Sequence, residues 1–144
     1  MEMTLTIVKP DAVAAGHTGS ILAHLEKAGF RIRGLRMIHL TAEQAGGFYA
    51  VHKERPFYGS LVEFMTSGPC VPVTLERDNA ILGLREVMGA TDVAKAEVGT
   101  IRNLYGTSIE RNAIHGSDSP ENARKEIAFF FSTQELAHLG VPVP

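Results

Sequence analysis

Residues 112–118, Asn-Ala-Ile-His-Gly-Ser-Asp, carry the densest concentration of reactive groups in this chain. The segment supplies an amide, an imidazole, a hydroxyl and a carboxylate, and His115 is followed directly by Gly116. Because glycine has no side chain, a substrate can approach the His115 ring closely. Taken alone, a histidine beside serine and aspartate is more often a hydrogen-bonded structural residue than a nucleophile. The elements that surround the segment must decide between the two.

The segment leads into a helix start. Ser119 is a favourable N-cap, Pro120 suits the first helical position, and Glu121 places an acid in the first turn. We therefore expect His115 on a short strand or loop just before a helix over residues 120–131. Glu126 lies within the first turns of that helix, from which its side chain can extend back toward the ring.

Composition limits the class of protein. With 144 residues, 44% hydrophobic and 21% charged, the chain suits one globular domain over residues 1–144, with residues 133–144 as a C-terminal tail. A net charge of −2 argues against a protein that binds mainly nucleic-acid backbone. Neither a signal peptide nor a membrane span is expected. The single cysteine, Cys70, fits buried packing and a reducing, cytoplasmic location.

The apolar pattern predicts an α+β fold, an α/β sandwich. The order of elements indicates a ferredoxin-like βαββαβ unit, a four-stranded antiparallel sheet covered by helices. Pro72 is expected at a bulge, since proline cannot donate a ladder hydrogen bond. Strands are predicted at residues 4–9, 31–40 and 70–76 and around His115, and helices at 20–28, 41–51, 57–66, 80–88 and 120–131.

This topology makes the first and last strands neighbours. Lys9, at the end of the first strand, should therefore approach His115, although the two are far apart in sequence. Other polar and aromatic groups lie at element ends or in loops, where sites are usually built. Together they supply cations, hydroxyls, an amide and an aromatic platform, which suits a phosphate-rich nucleotide: Tyr49, His52, Arg55, Phe57, Arg85, Thr91, Arg102, Asn112, Ser117 and Glu126.

Between residues 4 and 131 the chain resembles the nucleoside diphosphate kinase family. The resemblance rests on blocks that occur in the family's order: IVKPDA at 7–12, FYAVHKERPF at 48–57, LVEFMTSGP at 61–69, MGAT at 88–91, GTIR at 99–102 and NAIHGSD at 112–118. It implies a ping-pong reaction in which a nucleoside triphosphate phosphorylates His115. The phosphohistidine then passes the group to a nucleoside diphosphate, with broad base specificity. A neutral imidazole suits this role because it needs no base to deprotonate it.

The resemblance also implies a role for each matching residue. Glu126 would hold the far nitrogen of His115, and Ser117 would bond near that carboxylate. Lys9, oriented by Tyr49, would neutralise the transferring phosphoryl group and touch the ribose 3′-hydroxyl, which Asn112 would also bond. The diphosphate would contact Arg85, Thr91, Arg102 and His52, Phe57 would stack on the base, and Mg²⁺ would arrive on the nucleotide phosphates rather than on a protein-made metal site.

Several positions depart from the family pattern outside these roles. Val93 and Val98 replace frequent prolines, Leu104 replaces a common acid, and Arg77 replaces a turn glycine. Together with Pro72 they bear on stability and assembly. The resemblance implies a dimer-based homo-oligomer, tetramer or hexamer, and the exposed edge of the 31–40 strand is a candidate contact.

Two alternatives remain open from the sequence. One is a catalytically silent ferredoxin-like module that binds nucleotides or nucleic acid, or regulates a partner. The presence of Lys9, His115 and Glu126 argues against it. The other is a histidine kinase activity toward proteins as a secondary function.

Overall fold

The computed structural model describes residues 1–141 and confirms the ferredoxin-like α+β fold. Four antiparallel strands, β1 (Glu2–Val8), β2 (Arg31–Leu35), β3 (Val71–Arg77) and β4 (Ile114–Gly116), lie in the order β2-β3-β1-β4. The helices are α1 (Pro10–Ala14), α2 (Thr18–Lys27), α3 (Ala42–Phe48), α4 (Tyr58–Met65), α5 (Ala80–Met88), α6 (Ile101–Tyr105), α7 (Pro120–Phe130) and α8 (Thr133–His138). Short 3₁₀ helices occupy Ala50–His52 and Val93–Lys95.

The sheet separates two apolar cores, because alternate residues of each strand point to opposite faces. On one face, Leu5 and Ile7 of β1 pack with Ile127 of α7. On the other face, Leu75 of β3 packs with Leu25 of α2 and with α5. Cys70 is fully buried in the first of these cores, as the sequence predicted.

Helix boundaries follow side-chain caps. Thr41 and Gln44 form the predicted capping box of α3, Thr100 caps α6, and Ser119 caps α7 with Pro120 at its first turn. Helix α3 ends at Phe48, earlier than the predicted residue 51, and the chain continues as a 3₁₀ turn. The predicted C-terminal tail, residues 133–144, begins with helix α8, and its residues 142–144 lie outside the described residues.

Two expectations about the ends of the strands are corrected. The second strand ends at Leu35 rather than at residue 40, and beyond it Ile38 forms only an isolated bridge to Cys70. Pro10 begins helix α1, where only a strand end was expected. Proline suits that first helical position, because an N–H there has no partner in the helix.

Pro72 lies inside a central strand without a bulge. Its carbonyl accepts from Arg36 N at 3.2 Å, just beyond the end of β2. The N–H that proline lacks would point to the same side, where the pairing of β2 with β3 ends. Its pairing with Ile7 of β1 stays in register, because the backbone groups of Pro72 face away from β1. The irregularity is instead in β2, between Ile32 and Gly34.

Arg77, the last residue of β3, is held by packing and by a hydrogen bond. Its guanidinium lies 4.6 Å from the centre of the Phe30 ring and donates through Nη1 to Ala28 O at 2.8 Å. This contact accommodates the departure from glycine.

No helix within residues 1–141 combines the length and the apolar character that a membrane crossing requires.

Candidate active site

The pairing of β1 with β4 brings the two ends of the fold together. Ile7 is opposite His115, and Thr6 Oγ1 donates to His115 O at 2.6 Å. One residue beyond the paired segment, Lys9 N donates to Ala113 O at 2.9 Å. The approach of Lys9 to His115 expected from the topology is therefore confirmed, and both side chains line one cavity of about 610 Å³.

His115 is oriented by a carboxylate on α7. Its Nε2 lies 2.7 Å from Glu126 Oε1, and Ser117 Oγ donates to that same oxygen at 2.9 Å. A carboxylate only accepts, so Nε2 carries the proton and Nδ1 keeps its lone pair. Nδ1 makes no hydrogen bond within residues 1–141. The ring is therefore fixed in the tautomer that leaves one nucleophilic nitrogen available.

Glu126 and Ser117 act from behind the ring. Ser117 is fully buried and does not line the cavity of about 610 Å³, and neither does Glu126. Glu126 instead borders a smaller space of about 180 Å³ that also touches His115. The Phe48 ring packs edge-on against the imidazole, with the centroids 5.6 Å apart.

Lys9 is almost completely buried, and its ammonium donates to Asn112 Oδ1 at 2.9 Å. The pKa of Lys9 is lowered from 10.5 to about 8, mainly by burial and in smaller part by the positive charge of Arg102. Asn112 Nδ2 in turn donates to Thr91 O at 3.3 Å. An amide offers two donors and two acceptor sites, so Asn112 retains one of each for a ligand.

Tyr49 lines the cavity. Within residues 1–141 the Lys9 ammonium donates to Asn112, whereas the sequence predicted Tyr49 as the residue that orients it. The Tyr49 ring packs edge-on against Phe48 at 4.9 Å and stacks over His52 at 6.5 Å. Burial raises the pKa of the Tyr49 hydroxyl, which keeps the group protonated.

Arg102 is buried and partly committed to the backbone. Its Nη1 donates to Gly89 O at 3.0 Å and its Nη2 to Ile114 O at 2.8 Å. A guanidinium has five N–H donors, so others remain beyond these two bonds. Burial lowers its pKa to about 10, with Arg85 contributing, and the group stays cationic at neutral pH.

The far end of the cavity is open and aromatic. Phe57 is 47% exposed, and its ring centroid lies 5.5 Å from that of His52. Arg85 and Thr91 line the same cavity from the end of α5 and the loop that follows. Gly116 and Asp118, of the segment 112–118, also line the cavity, although neither was predicted from the sequence as a site residue. The full set of lining residues that were not predicted is Ser60, Leu61, Met88, Ile109, Glu110, Gly116 and Asp118.

Arg55 also carried a sequence prediction, but it does not line this cavity. Within residues 1–141, no group of three or more histidine, cysteine or carboxylate side chains is arranged to hold a metal ion. The cavity instead combines cations, Lys9, Arg85 and Arg102, with two carboxylates, Glu110 and Asp118. Such a lining suits a polyanion that brings its own metal ion.

Comparison with known proteins gives consistent results. Residues 2–136 match the family described as nucleoside diphosphate kinase. A nucleoside diphosphate kinase of Chlorobium chlorochromatii is 59% identical over 136 residues, which cover 94% of this chain and 97% of that protein. One from Chlorobaculum tepidum is 57% identical over 139 residues, covering 96% of this chain and 99% of that protein.

Solved structures agree with the fold. The nucleoside diphosphate kinase of Aquifex aeolicus superposes with a TM-score of 0.90 at 50% identity, covering 93% of this chain and 97% of that one. The enzyme from Encephalitozoon cuniculi gives the same TM-score at 32% identity, with coverages of 94% and 92%.

Proposed function

This chain belongs to the nucleoside diphosphate kinase family, and from that premise we propose that His115 Nδ1 is the atom that carries the phosphoryl group. The protein is an enzyme that transfers a phosphoryl group between nucleotides. The observation that carries the proposal is the arrangement around the imidazole. Nε2 is bonded to Glu126, while the ring itself lines the cavity that Lys9 also lines.

The reaction follows from this tautomer. The Nδ1 lone pair attacks the terminal phosphorus of a nucleoside triphosphate, and the bond to the bridging oxygen breaks. The nucleoside diphosphate leaves with that electron pair. Nε2 keeps its proton, and the positive charge that develops on the ring is stabilised by the Glu126 carboxylate. In the second half, a terminal oxygen of the acceptor diphosphate attacks the same phosphorus, and the N–P electron pair returns to Nδ1.

The cavity lining supplies the groups that a nucleotide needs. Lys9 would neutralise charge on the transferring phosphoryl group, and Asn112 would bond the ribose 3′-hydroxyl. The open aromatic end would take the base on Phe57, whose π-face does not distinguish one base from another. The diphosphate would contact the remaining predicted residues, Arg85, Thr91, Arg102 and His52.

Tyr49 is proposed as part of the cavity wall rather than as the partner of Lys9. Its ring packs against Phe48, which in turn contacts His115. This aromatic contact supports the orientation of the imidazole.

We assign Mg²⁺ to the nucleotide rather than to the protein. Bound to the phosphate oxygens, it would supply charge neutralisation and hold the phosphates in a fixed geometry. The cation-rich wall of Arg85 and Arg102 fits a phosphate chain whose charge is only partly neutralised.

Assembly and location form a further part of the proposal. We propose a cytoplasmic homo-oligomer built from dimers, in which β2 contributes a contact. The supporting observations are that β2 is an edge strand and that Leu35 and Met37, on and beside it, are 47% and 60% exposed. A molar mass measured by light scattering that equals one chain would contradict the oligomer.

The test of function uses radiolabelled ATP. The protein is incubated with γ-labelled ATP, separated from nucleotide, and then mixed with GDP. We expect an acid-labile, base-stable label that moves to GDP, and no label on His115→Ala. A His115→Ala variant that carries label and transfers it at the normal rate would refute the proposal.

A further inference from the structure

A strained turn directly precedes the nucleophile. Ala113 has φ +72°, a conformation that costs a side-chain-bearing residue free energy and that glycine adopts more readily. Ile114 N donates to Asn112 O at 2.8 Å, which closes a three-residue turn of the rare, strained kind. Ala113 is fully buried, so the surrounding structure must hold this turn in place.

Two residues at the junction between β1 and α1 hold it. Asp11 Oδ2 accepts a hydrogen bond from Ala113 N at 3.1 Å, across a separation of 102 residues. Lys9 N donates to Ala113 O at 2.9 Å. Both polar groups of the Ala113 backbone are therefore hydrogen-bonded to the Lys9-Pro10-Asp11 segment. Of these two bonds, the one to Asp11 is made by a side chain and the one to Lys9 by the backbone.

We propose that Asp11 is a positioning residue for the nucleotide site. By holding the strained turn closed, its carboxylate keeps Asn112 Oδ1 against the Lys9 ammonium, 2.9 Å away, and keeps the amide in the wall of the cavity. The inference rests on the proposed function, in which Asn112 and Lys9 meet the ribose 3′-hydroxyl. It gives a role to a residue of the IVKPDA block that the reaction itself does not use.

The effect should fall on Asn112 rather than on His115. His115 is held separately, by its place opposite Ile7 in the β1–β4 ladder and by Glu126. Asn112 lies on the other side of the turn and is fixed through side-chain bonds to Lys9 and to Thr91 O. Releasing Ala113 therefore displaces the ribose contact and leaves the nucleophile in place.

The test compares ATP with 3′-deoxy-ATP as phosphoryl donor. Phosphorylation of His115 is followed in single turnovers for the wild type and for Asp11→Ala. We expect the wild type to lose rate when the 3′-hydroxyl is absent. In Asp11→Ala we expect the ATP rate to fall roughly tenfold, the scale of one lost buried hydrogen bond, while the rate with 3′-deoxy-ATP changes little.

Rescue variants separate positioning from a general loss of structure. Asp11→Asn keeps an oxygen that can accept from Ala113 N and should recover most of the discrimination. Ala113→Gly in the Asp11→Ala background should also recover it, because glycine adopts the turn without strain. Asp78→Ala removes the same charge at an exposed position and serves as the matched control.

The outcomes are distinguishable. If the wild type discriminates between the donors and Asp11→Ala discriminates equally well, the inference is overturned while the proposed function stands. If Asp11→Ala lowers both rates equally and neither rescue variant restores them, Asp11 is only structural and the inference is again overturned. If the wild type shows no label on His115, the proposed function itself has failed.

Discussion

Replacing Glu126 by glutamine removes one negative charge from the atom that faces the nucleophilic ring. The carboxylate oxygen Oε1 accepts from both His115 Nε2 and Ser117 Oγ, at 2.7 and 2.9 Å. Glutamine keeps an oxygen of similar position and can preserve the tautomer. What is lost is the charge that stabilises the imidazolium as the N–P bond forms at Nδ1.

The magnitude follows from the kind of bond. Hydrogen bonds to charged groups contribute about 1.5–3 kcal/mol, against about 0.5–1.5 kcal/mol for neutral pairs. The His115 and Glu126 side chains are 21% and 20% exposed, so solvent partly screens their interaction. The lower end of the range for hydrogen bonds to charged groups therefore applies. A difference of about 1 kcal/mol corresponds to a rate reduction of roughly fivefold.

Rapid-quench measurement of single-turnover phosphorylation by ATP isolates this step from product release. Glu121→Gln is the matched control, because Glu121 lies on the same helix and its pair with Lys125 is 70% and 71% exposed. That control should leave the rate unchanged. An unchanged rate in Glu126→Gln would refute the proposed role of the carboxylate.

Ser117 provides a second arm of the same experiment. Ser117→Ala removes a donor to the same oxygen, so its effect should be smaller in the Glu126→Gln background than in the wild type. Effects that multiply independently would contradict a shared oxygen.

Three further predictions test other parts of the site and fold. Because burial lowers the pKa of Lys9 to about 8, the ammonium loses its charge as pH rises through that value. We expect kcat/KM to fall over that range and Lys9→Arg to move the fall to higher pH; a pH–rate profile that is flat or identical in both proteins would contradict this. Between about pH 8 and 10.5 the lysine is protonated in the unfolded chain but largely neutral in the folded one. Because the unfolded state then binds more protons, the contribution of Lys9 to the free energy of unfolding rises with pH over that range. Phe57→Ala should raise KM by a similar factor for purine and pyrimidine nucleotides, because stacking contributes about 1–3 kcal/mol per base and does not depend on base identity. Steady-state kinetics with ADP and CDP measure the two effects, and a loss confined to one base would contradict the stacking role. Val98→Pro should raise the free energy of unfolding by about 0.4–1 kcal/mol. Val98 precedes Gly99, which has φ +91°, in a turn closed by a hydrogen bond from Thr100 N to Glu97 O, and proline is favoured at that position of such a turn. A calorimetric Tm that does not rise would contradict this prediction.

Local signals explain which parts of the site the sequence predicted. Ser119 and Pro120 mark the start of α7, and Glu126 then falls where its side chain returns to His115. The alternating pattern of β1 and the topology together predicted the neighbouring positions of Lys9 and His115. These features depend on residue type and spacing, which the sequence states directly.

Other features depend on contacts between distant residues. Ala113 carries no sequence signal for its positive φ, because glycine is the residue usually associated with that conformation. Its bond to Asp11 joins residues from opposite ends of the chain. Pro72 was expected to require a bulge, yet the N–H that it lacks would face the end of β2 rather than β1. That direction is set by the register of the strand pairing.

The expected role of Tyr49 shows a related limit. Tyr49 and Lys9 line one cavity, but packing decides which side chains meet along its wall, and residue spacing does not state that. The ammonium donates to Asn112, which directly precedes the strained turn at Ala113.

The central claim is that the phosphoryl group is carried by Nδ1 of His115, since Nε2 is bonded to Glu126. The most direct measurement is ¹⁵N and ³¹P NMR of the protein labelled with ¹⁵N-histidine, after reaction with ATP and removal of nucleotide. The account predicts one phosphohistidine, at position 115, with the ³¹P coupling to Nδ1, and its disappearance when GDP is added. Coupling to Nε2, or a phosphohistidine that persists in His115→Ala, would contradict it.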